Sequence, residues 1–133
     1  QFVTPAVMDL VHHMVVTGAW WDLVDELVRV QLIVRDHDRA GEDARMRRWA
    51  RDAHMWVRRY AILHQLQAKE TTDAGLLADV SDPNLGDGEF FIRKSIGWAL
   101  RDYARTDPDW VRAFVAGRPE MSALSRREAT KHL

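Results

Sequence analysis

Three stretches of the chain combine residue types that could do chemistry. In WWDLVDELV, Trp21 and Asp25 stand four residues apart and are therefore neighbours on one helical face. They lie on the flank of the apolar stripe made by Trp20, Leu23, Val24 and Leu27, and Val28 and Leu32 continue that flank. A carboxylate in partly apolar surroundings beside an indole is costly. Two accounts fit it. Asp25 is either a surface acid near a helix N-terminus, a role that Asp22 fits better, or a carboxylate meant to meet a cation, face a developing positive charge or hold a water. In EFFIRKSIGWALRDYAR, Trp98 stands one turn from Lys94 and from Arg101. Either the indole covers a neighbouring helix while the cations snorkel past it, or a flat ring amid positive charge meets a phosphate backbone with a sugar or base beside it. Gly97 next to the ring lets another surface approach closely in both cases. In HMWVRRYAILHQLQ, Arg58 points away from the face shared by Trp56, Tyr60, Leu63 and Gln67. Arg59 lies on the flank of the apolar stripe beside Met55 and Leu66, where it is either solvated or paired with a phosphate.

Other chemistries find little support. The six histidines are scattered, none forms an i, i+4 pair around a glutamate, and no acidic cluster has metal-ligand spacing. There is no Gly-rich phosphate loop, no nucleophile elbow and no serine with an evident base. With no cysteine in 133 residues, disulfides and thiolate metal sites are excluded. No apolar run approaches the ~18 residues of a membrane span. The net charge of −1 is not that of a generally basic nucleic-acid binder, but the charge is unevenly spread. From Phe90 onward nine Lys and Arg face five acids, a surplus of four, so a polyanion would be met by the C-terminal third.

The elements that must hold these residues are helices. Thr4-Pro5 reads as an N-cap followed by proline at the first helical position. The helix over 6–17 then stops at Gly18, and another covers 20–34. A charged helix is expected over 42–53 and a further one over 54–69. Thr71-Thr72-Asp73 reads as the cap of a short helix over 74–80, and the turn-rich segment 81–88 is a loop. The helix carrying Trp98 follows, Asp107-Pro108 opens another to residue 116, and Ser125 with Glu128 forms a capping box for the last. No stretch alternates with period two. The expectation is an all-α single domain over residues 1–133, built of stacked antiparallel helix pairs as a HEAT-like repeat, or α-solenoid.

WWDLVDE, FFIRKSIGWALRDYARTDPDWVRAFV and LSRREATKHL, in that order, resemble the AlkD-type DNA alkylation repair glycosylases, and the resemblance extends over essentially the whole chain. It implies HEAT-like repeats with a concave, positively charged DNA-binding face. The implied activity is hydrolysis of the N-glycosidic bond of cationic alkylated purines such as 3-methyladenine and 7-methylguanine, without metal or other cofactor. Trp21, Asp25 and Trp98 match the family's active-site positions. Arg59 matches its DNA-contacting arginine, and Arg101 is implied as a backbone contact, with Lys94 beside it. The partner implied is double-stranded DNA carrying alkylated bases, met by a cytoplasmic monomer with no membrane attachment. The family's domain is longer at its N-terminus, so the chain is expected to be a C-terminal portion of such a domain. The rival reading is a non-catalytic HEAT-type module that binds DNA structure or a protein through the same groove and has no need of Asp25.

Overall fold

The computed structural model describes the backbone of residues 5–18 and 21–133, and the side-chain surroundings of residues 6–17 and 24–133. Those residues form eight α-helices and three short 3-10 turns, with no strand among them. In order the helices are α1 (Met8–Gly18), α2 (Trp21–Arg35), α3 (Arg39–Trp49), α4 (Met55–Leu63), α5 (Ala74–Ser81), α6 (Phe90–Ala104), α7 (Pro108–Ala116) and α8 (Ala123–Ala129). The all-α expectation holds. Helices α2, α4, α6 and α8 pack in succession as one layer, each against the next, while α3 and α5 pack on each other and on α4. This is the arrangement of a helical repeat. The core runs between the layers through Val28, Val57, Tyr60, Leu63, Leu76, Ile92, Ile96 and Leu100, all buried.

Local capping chemistry sets several boundaries. Asp73 and Asp107 accept hydrogen bonds from the backbone N–H groups of Leu76 and Trp110, so both predicted caps are present. The predicted cap Thr4 lies outside the described residues. Gly18, expected just past the end of α1, is its last residue. Helix α3 begins three residues earlier than predicted, because the Asp38 carboxylate caps it through the Gly41 N–H.

It also ends four residues early, at Trp49. There the turn into α4 is held by Asp52, which accepts from the His54 N–H, and by Arg58, which donates to the carbonyls of Asp52 and Ala53. Helix α4 stops at Leu63 instead of residue 69. The buried Gln65 side chain bridges to Asp73, donating to its carbonyl and accepting from its N–H. Gln67 and Lys69 take left-handed backbone conformations, φ 65° and 53°, which cannot continue a helix. The capping box at Ser125 is also replaced. Ser122 is the N-cap of α8, and Ser125 lies buried within the helix with its hydroxyl donating to the Arg93 carbonyl.

The helix predicted from its charge content is not simply solvated. Glu42 and Asp43 are buried and fully engaged. Glu42 accepts from Gln31 and Arg45, and Asp43 accepts from both Nε and Nη2 of Arg35. Buried charges persist only when paired in this way.

Candidate functional site

Asp25 sits at the start of the second turn of α2 with its side chain 15% exposed, and Arg59, on α4, is 4% exposed. The two meet fork to fork: Arg59 Nε donates to Asp25 Oδ1 and Nη2 to Oδ2, each at 3.0 Å. The third nitrogen, Nη1, donates to the Phe91 carbonyl in the first turn of α6 at 2.7 Å. One guanidinium therefore fastens three successive helices, α2, α4 and α6. Its carbon also lies 6.0 Å from the Trp98 ring centroid and 5.7 Å from that of Phe91, within cation–π range of both. Asp25, Arg59 and Trp98 thus share one site although they are far apart in sequence. The backbone of Trp21 opens α2, one turn before Asp25. Its side chain lies outside the described residues.

On the other side of Trp98, α8 closes against α6. Gly97 is the point of nearest approach: a Cβ there would stand 2.6 Å from the Glu128 Cβ and 3.2 Å from the Ser125 carbonyl oxygen. Glu128 then reaches along α6, and its Oε1 accepts from Arg101 Nη1 at 3.1 Å and from Lys94 Nζ at 3.3 Å. Burial acts to raise the Glu128 pKa, but the hydrogen bond from Lys94 and the charges of Lys94, Arg101 and Lys131 outweigh it and hold the carboxyl below its usual range. Lys94, Trp98 and Arg101 lie along one face of α6, so the indole stands between two cations that share one carboxylate. The sequence reading placed the cations correctly around Trp98 and overlooked Glu128, whose signal was assigned to a cap.

An aromatic group adjoins the Asp25–Arg59 pair. Trp56 and Phe91 have ring centroids 5.0 Å apart, Phe90 and Phe91 5.4 Å, and Phe90 is 51% exposed. The Phe-Phe pair at the head of α6 was the available signal for this cluster.

The arrangement suits recognition of positive charge by fixed partners. Each Asp25 oxygen uses one lone pair on Arg59 and has another to offer. Both oxygens of the carboxylate are held by Arg59, so little reorganisation of Asp25 is needed when a charge develops beside it. No group of three or more His, Asp or Glu side chains among the described residues could hold a metal ion.

A sequence search of curated proteins finds no match to this chain. A solved structure described as a predicted DNA alkylation repair enzyme from Enterococcus faecalis is similar, with a TM-score of 0.76 and 33% sequence identity. The match covers 86% of this chain and 53% of that one, so the chain spans about half the length of the structure it resembles. Residues 1–133 match the family described as DNA alkylation repair enzyme, and the chain belongs to that family.

Proposed function

We propose that the protein is a DNA glycosylase that hydrolyses the N-glycosidic bond of cationic alkylated purines, 3-methyladenine and 7-methylguanine, in double-stranded DNA, acting as a monomer and without a cofactor. The observation that carries the reading is the convergence of Asp25 and Trp98 on Arg59, whose guanidinium holds the carboxylate by both oxygens and lies over the indole ring. An alkylated purine is already positive and departs with little protonation, so the task is to stabilise positive charge moving onto the sugar. Asp25 supplies a fixed negative charge and orients or deprotonates the attacking water. Trp21 and Trp98 offer indole faces to the cation, each contact worth about 0.5–2 kcal/mol.

Lys94 and Arg101 contact the backbone phosphates in this reading. Arg59 serves chiefly through Asp25, because it is almost wholly buried and three of its N–H groups already have partners.

The test is single-turnover release of 7-methylguanine by the full chain and its Asp25→Asn variant. The amide keeps the size and one acceptor for Arg59 but removes the negative charge. Loss of a close charge in the transition state costs about 3–4 kcal/mol, a hundredfold to thousandfold drop in rate, with DNA affinity level or slightly higher. Near wild-type excision by Asp25→Asn would remove the catalytic assignment.

One observation favours the rival reading. A carboxylate held by both oxygens to a buried arginine is also a competent structural ion pair. If the unaltered protein binds DNA and releases no base, a non-catalytic module that binds DNA structure is the better description.

A further inference from the structure

Glu128 lies outside the Asp25–Arg59 pair, yet it touches both cations that flank Trp98. Its carboxylate is 13% exposed, against 25% for Arg101 and 40% for Lys94, so the acid is the inner member of the trio and the cations face outward. Oε1 bridges the two, 3.3 Å from Lys94 Nζ and 3.1 Å from Arg101 Nη1. Four of the five N–H groups of Arg101 make no hydrogen bond among the described residues, and the Lys94 ammonium keeps donors to offer. The trio as a whole carries a single positive charge. A phosphodiester carries a single negative one.

The position of Glu128 is fixed from beneath. Gly97 admits its Cβ against α6, and Ser125, one turn earlier on α8, donates to the Arg93 carbonyl at 2.7 Å. The helix turn and the Cβ that carry the acid are therefore held against α6, and its ion pairs hold the carboxylate beside the two cations.

We propose that Glu128 is a specificity-determining residue: a built-in counter-ion that limits Lys94 and Arg101 to one phosphodiester between them, keeping the grip on undamaged backbone weak beside Trp98. Two unneutralised cations at i and i+7 would take two phosphates and hold any duplex, damaged or not. With one charge cancelled, binding near the indole depends more on the nucleotide that the ring meets. The inference rests on the alkylated-DNA reading and adds the residue that restrains non-specific binding.

Counterion release gives it a direct measurement, since each neutralised phosphate contributes about 0.9 to the slope of log affinity against log salt. The affinity of the full chain for an undamaged duplex is to be measured between roughly 50 and 200 mM salt for the unaltered protein, Glu128→Gln and Glu128→Asp. Glu128→Gln keeps the shape and removes the charge. It is expected to steepen the slope by about one unit and to bind the undamaged duplex roughly fivefold more tightly at the lowest salt. Glu128→Asp keeps the charge and is expected to keep the slope.

A role confined to anchoring α8 would lower the unfolding temperature of both variants and leave the slope alone. An unchanged or shallower slope for a folded Glu128→Gln, or a steeper slope for Glu128→Asp, overturns the proposal while the repair reading stands. Should Glu128→Gln not fold, Glu128→Met fills a similar volume without charge and must steepen the slope alike. Failure of the unaltered protein to bind any duplex overturns both readings at once.

Discussion

At the scale of single residues, Arg59 has the most demanding geometry. Its planar fork meets the Asp25 carboxylate at two points and a backbone carbonyl at a third, a pattern that lysine cannot reproduce. Arg59→Lys keeps the charge and loses the fork, so Asp25 gains freedom beside Trp98. On the glycosylase proposal, excision is expected to fall at least tenfold, with a stability loss of about 1–3 kcal/mol, read from single-turnover rates and denaturant unfolding side by side. Arg59→Ala goes further and leaves Asp25 half-buried without its partner, which costs about 3–5 kcal/mol when such a pair is broken. The pair itself was not legible in the sequence. Trp21 and Asp25 stood out on the flank of one apolar stripe and Trp98 among cations on the polar side of another helix, while Arg59 on its own flank read as solvated or phosphate-bound. What joins Asp25 to Arg59 is the stacking of α2 on α4, and no local spacing encodes that.

At the scale of elements, the divide between what was and was not legible follows the range of the forces. Asp73 and Asp107 cap the helices they precede because a side chain and an N–H three residues on are all that is required. Where distant groups compete, the reading failed. Helix α4 yields its last turn to the bonds between Gln65 and Asp73, and Ser125 and Glu128 turn from capping α8 to fastening it onto α6. Glu42 and Asp43 look solvated in a charged helix and are buried because partners wait on α2. Gly97 was read correctly as a close approach, and the surface that approaches is α8. Gly97→Ala would drive a methyl group into the Glu128 Cβ and the Ser125 carbonyl, and neither can swing aside, one being fixed directly on the backbone and the other part of it. The expected cost is about 1–3 kcal/mol by overpacking, although alanine is the better helix former. Thermal unfolding checks this, and a variant as stable as the parent would show that α8 can move outward.

At the scale of the molecule, the one buried histidine links folding to pH. His64 follows the last turn of α4, buried, with Nδ1–H donating to the Ala61 carbonyl at 2.6 Å and Nε2 buried without a partner. Burial lowers its pKa to about 4 from 6.5, the backbone bond and Asp43 opposing the shift and Arg35 adding to it. The ring is therefore neutral in the folded state and titrates near its ordinary value when unfolded. Its contribution is complete above pH 6.5 and is lost as the pH falls through about 4. The shift corresponds to a few kcal/mol at most, on the order of 3. His64→Asn keeps a donor near the Ala61 carbonyl and does not titrate. Its stability should fall less between pH 7 and 4 than that of the parent, and a parallel decline would assign the acid sensitivity elsewhere.

The anchorage of Arg59 has a kinetic consequence as well. Its three bonds draw on α2, α4 and α6, so no single helix pair can assemble the site by itself. In stacked helical proteins each unit is held only by its neighbours, and opening is local. Opening that separates α2 from α4, or α4 from α6, disperses the charges around Trp98 together. Lifetime of the assembled cluster is therefore set by the first interface of this triplet to part, however well the remaining layers hold.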